Sequence, residues 1–200
     1  WKVNKYGFIN FWLFDDEQIE TSNGNLLLSG ENGSGKSVTL QSFIPLILDG
    51  NTNSNRLSTE GDTSRKIDWY LLYGEKEQNI SYLYVEFEKE EMGEKKFLSF
   101  GIGFKIRKGQ RPVKWYFKLE DMRIGKDIKL YKRESGQNLI YEKRDLQKLF
   151  EKEAPNSHTI FNNRLEYKID INQSIFGFED IGEFEETLNL ILELRKPNLK

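Results

Sequence analysis

The chain contains no cysteine and a single histidine, His158. Without cysteine there is no disulfide framework, no thiolate metal site and no cysteine nucleophile. One histidine excludes a His/Cys zinc site and would have to serve any Ser-His-Asp triad alone. Following Pro155, His158 reads as a surface loop residue. No apolar stretch approaches the ~20 residues that a membrane span needs, and no secretory signal is visible. The cytoplasm is therefore the expected compartment, with no membrane partner. The first residue is Trp1, so further residues are expected upstream. An excess of one charge is also missing. Lys+Arg total 30 and Asp+Glu 32, a net charge of -2. That balance excludes a generally basic nucleic-acid coat but allows a local basic face. No internal repeat or low-complexity tract is found. The 200 residues suffice for one domain with a sizeable core, or for one lobe of a larger one.

What is present is a change of period along the chain. "YGFINFWLF" (6–14) and "EQIET" (17–21) read as strands, and "SNGN" (22–25) carries an Asn-Gly hairpin signal. "NLLLSG" (25–30) reads as a short apolar strand buried on both faces. From Lys36 the pattern is helical, with Leu40, Phe43, Ile44, Ile47 and Leu48 on one face and a kink or early end expected at Pro45. Residues 50–66 are polar and turn-rich, and "IDWYLLYG" (67–74) reads as a short helix. Residues 80–88, 96–107, 112–120 and 127–132 alternate as strands of an antiparallel meander. Residues 142–153 and 183–196 are helical by period, the second with Phe184, Leu188, Ile191 and Leu192 on one face.

Between the apolar run and the first helix lies Gly30-Glu31-Asn32-Gly33-Ser34-Gly35-Lys36-Ser37, which fits G-x-x-x-x-G-K-[ST]. Its glycines allow backbone N–H groups to converge on a phosphate, and the following helix adds its positive end. Lys36 would reach the β and γ phosphates, and the Ser37 hydroxyl would bind Mg²⁺. The bare pattern arises by chance in roughly one chain of this length per hundred, and a strand before and a helix after lower that further. The reading is ATP with Mg²⁺. Nucleotide contacts are assigned to Gly30, Asn32, Gly33, Ser34, Gly35, Lys36, Ser37 and Thr39. Many such enzymes also use an acid after a second apolar strand to hold Mg²⁺. No run of four apolar residues followed by Asp-Glu occurs. "YLYVE" (82–86) and "LILE" (190–193) each end in a lone Glu, which reads as a solvated edge. The catalytic acid is expected outside this chain.

The loop Gly30-x-Asn32-Gly33-x-Gly35-Lys36-Ser37 resembles the Walker A loop of the ABC-type ATPases of chromosome maintenance, such as SMC, MukB and RecF proteins. Their heads are split. An N-terminal segment carries Walker A, and a C-terminal segment carries the signature motif and Walker B beyond a long coiled coil. A closer similarity is to the SMC-like ATPase subunits of Wadjet, the bacterial anti-plasmid defence system. It lies in "GFINFWLFDDE" (7–17), "GNLLLSGENGSGKS" (24–37), "PLILDG" (45–50), "RL" (56–57) and "INQSIFGF…LNLILELRKP" (171–197). It covers nearly the whole chain. The resemblance implies an α+β or α/β fold: the N-terminal lobe of an ABC-type ATPase head. A mixed sheet would surround the P-loop helix, with an antiparallel β region beside it. Residues 1–79 would be the nucleotide-binding core, 80–141 the β subdomain, 142–182 a return to the core, and 183–200 the start of the coiled-coil neck. ATP binding would drive head engagement and DNA translocation or loop extrusion in plasmid defence. The fragment itself would be inactive as an ATPase until the head dimer is complete. Expected partners are the C-terminal lobe of the same protein, a second SMC-like head in a homodimer, kleisin-type and nuclease subunits, and DNA.

The resemblance also assigns residues. Lys36 is catalytic, and Ser37 ligates the metal. Arg56 falls where SMC heads keep an arginine that acts at nucleotide or DNA, although a solvated loop arginine fits equally. Gln173 matches the Q-loop glutamine that senses Mg²⁺ and the attacking water, a catalytic and metal role, unless the register slips to Asn172 or either is a plain loop amide. SMC-type heads have a nucleotide-touching basic residue after their first "GF". Here Ile9 and Asn10 follow Gly7-Phe8, so base and ribose contacts stay unassigned. A DNA-binding face is expected on "FKIRKGQRPVKWYFK" (104–118), with Lys105, Arg107, Lys108, Arg111 and Lys114 set against phosphates. The competing reading is a sheet edge guarded by Lys and Arg. Trp115 and Phe117 are expected in the core. A RecF-like repair ATPase, a self-sufficient P-loop kinase and a non-hydrolysing nucleotide-gated scaffold are the alternatives.

Overall fold

The structure, a computed structural model, describes residues 1–29, 35, 38–57 and 66–193. Its centre is a six-stranded sheet in the order β2-β1-β3-β4-β5-β8. The strands are β1 (Lys2–Phe11), β2 (Phe14–Glu20), β3 (Gln78–Glu91), β4 (Glu94–Arg107), β5 (Val113–Glu120) and β8 (His158–Phe161). Every neighbouring pair in the sheet is antiparallel. The fold is α+β, and the mixed sheet expected around the phosphate loop is not seen among the described residues. A separate hairpin pairs β6 (Tyr131–Glu134) with β7 (Gln137–Ile140). Six short α-helices complete the described fold: α1 (Ile44–Asp49), α2 (Ser54–Leu57), α3 (Ile67–Leu71), α4 (Lys143–Glu153), α5 (Arg164–Ile171) and α6 (Ile181–Glu193).

Strand alternation sends side chains to two cores. One face carries Phe8, Leu83, Val85, Phe100, Ile102 and Phe104 against the first, third, fifth and sixth helices. The other carries Ile9, Tyr82, Tyr84, Trp115 and Phe117 against α4 and the segment around Ile124, Ile128 and Leu130. Each such side chain, fully buried, contributes roughly 1.5–3 kcal/mol. On the second face, glycines make room for the rings opposite them. Gly7 faces Tyr84, Gly101 faces Phe117 and Gly103 faces Trp115 in register. A Cβ on Gly101 or Gly103 would lie 2.2 or 2.1 Å from those rings.

Several local expectations change. The long strand over 6–14 is broken by a turn at Trp12 and Leu13, where Trp12 takes φ 53°. The Asn-Gly turn forms, with Ser22 and Asn25 bridged. The apolar strand expected after it does not. Residues 26–29 are irregular, and Leu27 is 91% exposed. No described strand lies beside them to supply a ladder. At Pro45 the helix does not end. A wide π turn, Thr39–Phe43, whose closing N–H runs from Ile44 to Thr39, precedes α1. Pro45 therefore occupies the first turn of α1, where its missing N–H costs nothing. The strand expected at 127–132 begins only at Tyr131, and Arg164–Ile171 is a helix that the pattern did not reveal. His158 lies on β8, half-buried, with Nδ1 2.6 Å from the Ala154 carbonyl and its ring against Phe150.

Candidate functional site: the end of the phosphate loop and the surface around it

Gly30, Asn32, Gly33, Ser34, Lys36 and Ser37 lie outside the described residues. Gly35 and Thr39 lie within them. Gly35 has φ +85°, a conformation that L side chains rarely adopt. The Trp12 ring closes over it: a Cβ there would meet Cζ3 at 2.6 Å. The Gly35 carbonyl accepts the Thr39 N–H at 2.9 Å, joining the loop's end to the buried helix. Thr39 is itself 3% exposed. Trp12 is placed by its own turn, and its backbone N–H donates to the Tyr70 carbonyl at 3.1 Å. Its ring packs edge-on to Phe43, Tyr70 and Tyr73 and obliquely on Trp69. Trp69 and Tyr73 remain 47% and 38% exposed, so an aromatic wall stands open to solvent beside Gly35. The Trp12 indole N–H is buried without a hydrogen-bond partner among the described residues. Such an orphan donor costs about 1–3 kcal/mol.

Arg56 does not float in solvent. It is ion-paired with Asp49 at the end of α1 and donates to Asn189 Oδ1 on α6 at 2.8 Å. Beside it Lys168, 3% exposed, is ion-paired with Glu185. Burial pushes the Lys168 ammonium down, helped by repulsion from Arg164 and Arg56. These groups surround a cavity of about 150 Å³. Gln173 does not line it. Gln173 is exposed on the π turn Asn172–Phe176. Its neighbour Asn172 is buried and committed: its amide donates to the Phe178 carbonyl and accepts the Phe178 N–H, at 2.9 and 3.1 Å. Of the two amides, Gln173 is the one left facing outward.

The basic hairpin divides between faces. Lys105 is in register with Val113, and Lys114 with Phe104, so Lys105 and Lys114 point to opposite sides of the sheet. Lys105 is paired with Glu142 at 2.7 Å and Lys108 with Glu77 at 3.1 Å. Arg107 and Arg111 are exposed. Lys118 is held by Asp170 at 3.0 Å and Glu120 at 3.1 Å. Lys114 emerges on the helix-covered face and donates to Thr52 Oγ1 at 3.0 Å. Trp115 and Phe117 are buried, as their alternation predicts.

Glu86 departs most from its sequence reading. It is no solvated edge: it is 0% exposed on the second face of β3. Asn4 Nδ2 donates to its Oε1 at 2.6 Å, Arg123 donates to the same oxygen at 3.1 Å, and Lys5 Nζ stands 3.6 Å from Oε2. Lys5 in turn donates to Gln18 and the Ile124 carbonyl at 2.8 and 2.7 Å. Walled in this way, Glu86 is a structural counter-charge. The described residues contain no group of three His, Cys, Asp or Glu side chains able to hold a metal. In this chain, Mg²⁺ would have Ser37 and exposed Gln173 as its assigned partners. Arg164 and Lys168, which share the Arg56 cavity, escaped the sequence reading because the helix bearing them gave no clear period. Compared with protein-family models and with curated proteins, the chain matches none.

Proposed function

We propose that this chain is the ATP-binding N-terminal lobe of an SMC-like ATPase head. One observation carries the reading: an octet of the form G-x-x-x-x-G-K-S leads into a buried helix, and its sixth residue, Gly35, adopts positive φ and accepts the first helical N–H described. Lys36 binds the β and γ phosphates, and Ser37 supplies a hydroxyl to Mg²⁺, which when bound offsets charge developing on the phosphates. The chain's own contribution is to bind and orient the nucleotide. The aromatic wall of Trp12, Trp69 and Tyr73 offers the base a stacking surface, a contact worth about 1–3 kcal/mol. Two further features support a composite site. Glu86 is sealed away from solvent, so "YLYVE" supplies no catalytic acid. Leu26 to Leu28, just before the loop, remain partly or fully exposed, as a strand would be before its neighbours from a second lobe arrive. On this reading ATP joins two heads, and the complete assembly moves DNA in plasmid defence with kleisin-type and nuclease subunits.

The test is equilibrium binding of ATP and of inorganic tripolyphosphate to the chain and to two variants. Lys36→Ala should lose both ligands. Trp69→Ala should weaken ATP roughly five- to a hundredfold, the equivalent of the stacking contact, and leave tripolyphosphate unchanged. Unaltered ATP binding by Lys36→Ala would overturn the site assignment. Unchanged binding of both ligands by Trp69→Ala would remove the base platform while leaving the phosphate site.

A further inference from the structure

Four cations gather where the end of α1 meets the start of α5. Arg56, Arg164 and Lys168 line the 150 Å³ cavity, together with Asn51 and Asn189. Lys114 reaches the same loop from β5 through Thr52 Oγ1. Two carboxylates answer them, Asp49 on Arg56 and Glu185 on Lys168. Lys114 and Arg164 are left over: among the described residues neither forms an ion pair. Their proximity is unfavourable as it stands, since Arg164 adds to the burial that pushes the Lys114 ammonium down. Arg164 passes close to the same loop: its Cγ and Cδ lie 3.0 and 3.4 Å from where a Cβ on Gly50 would stand, and it lines the cavity with Asn51. Two like charges, held together by the fold in a chain of net charge -2, are what an anion site requires.

We propose that Lys114 and Arg164, with the Thr52 hydroxyl between strand and loop, form an oxyanion seat for a phosphate group. Arg164 offers a planar fork for two phosphate oxygens, and Lys114 a point charge on a third. Arg56 and Lys168, already neutralised, form the floor. The phosphate can come from a duplex DNA backbone or from free inorganic phosphate. The seat deepens the DNA part of the proposed function, because it keeps Lys114 as a contact and adds Arg164. It does not depend on nucleotide binding.

The experiment measures binding of a labelled DNA duplex across a salt series, and thermal stabilisation by inorganic phosphate. Both are run on the wild type, on the double variant Lys114→Gln/Arg164→Gln and on Lys95→Gln. For a DNA contact, the slope of log affinity against log salt should fall by about 0.9 for each cation removed, and Lys95→Gln, whose lysine pairs with Glu88, should leave it unchanged. The charge-preserving Lys114→Arg/Arg164→Lys variant should retain the slope, which separates a lost charge from a damaged fold. Stabilisation by phosphate alone, abolished in the double variant, with no DNA binding, would assign the seat to free phosphate. If the double variant matches wild type with both ligands, or if wild type responds to neither, the seat does not exist.

Discussion

Buried single residues carry the firmest consequences of this structure. Glu86 holds two cations, Lys5 and Arg123, inside the second core. Glu86→Gln removes the counter-charge and leaves them facing each other, so a loss of about 3–5 kcal/mol is expected in urea unfolding. Lys5 adds a pH signature. Burial pushes its ammonium down, Glu86 pulls it up and Arg123 pushes it down again, and the net shift is downward. The unfolded chain therefore holds this proton more tightly than the folded one. The resulting penalty is present at neutral pH and relieved as pH rises through the lowered value towards 10.5. The stability advantage of wild type over Lys5→Met should accordingly grow from about pH 7 to about pH 10. A flat or shrinking difference would show that Lys5 is not held as described. At Gly35, alanine would face both φ +85° and the Trp12 ring. Gly35→Ala should abolish ATP binding with little loss of strand content by circular dichroism. Normal ATP binding by that variant would separate the Trp12 contact from the site.

Among the elements, the antiparallel meander was the most legible, because alternation over "ISYLYVEFE" and "KFLSFGIGFKIR" repeats over enough residues to outvote local propensity. Its glycines have no place in that alternation. Only the register shows that Gly101 and Gly103 lie beneath Phe117 and Trp115. Gly101→Ala should cost about 1–3 kcal/mol by overpacking, read as a lowered unfolding midpoint. An unchanged midpoint would mean the Phe117 ring can move aside. Elements that escaped the sequence did so for physical reasons. The wide turn Thr39–Phe43 comes from the need to place Pro45 in a helix, a correction that apolar spacing does not encode. β8 has four residues, too few for a period, and it exists because the exposed edge of β5 accepts it. "NLLLSG" shows that apolar content implies burial only when a partner is present: Leu27 is exposed among the described residues. Of the candidate site, the G-x-x-x-x-G-K-S octet was visible at once. The aromatic wall and the Lys114–Arg164 pair were not, since each joins segments far apart in sequence.

Across the whole molecule, one sheet carries two cores, and Leu27, in the apolar run before the octet, is exposed. Among the described residues no helix is long and apolar enough to cross a membrane. Helix α6 leaves the first core tied down by Phe184 and Leu188 and by the contacts from Arg56 and Lys168. The most direct measurement is ATP turnover by the chain alone and after addition of the C-terminal lobe that the proposed function requires. The proposed function predicts ATP binding without turnover in the first case and turnover in the second, with Lys36→Ala inactive in both. Turnover by the chain alone at ordinary enzymatic rates, about 1–10³ s⁻¹, would contradict it.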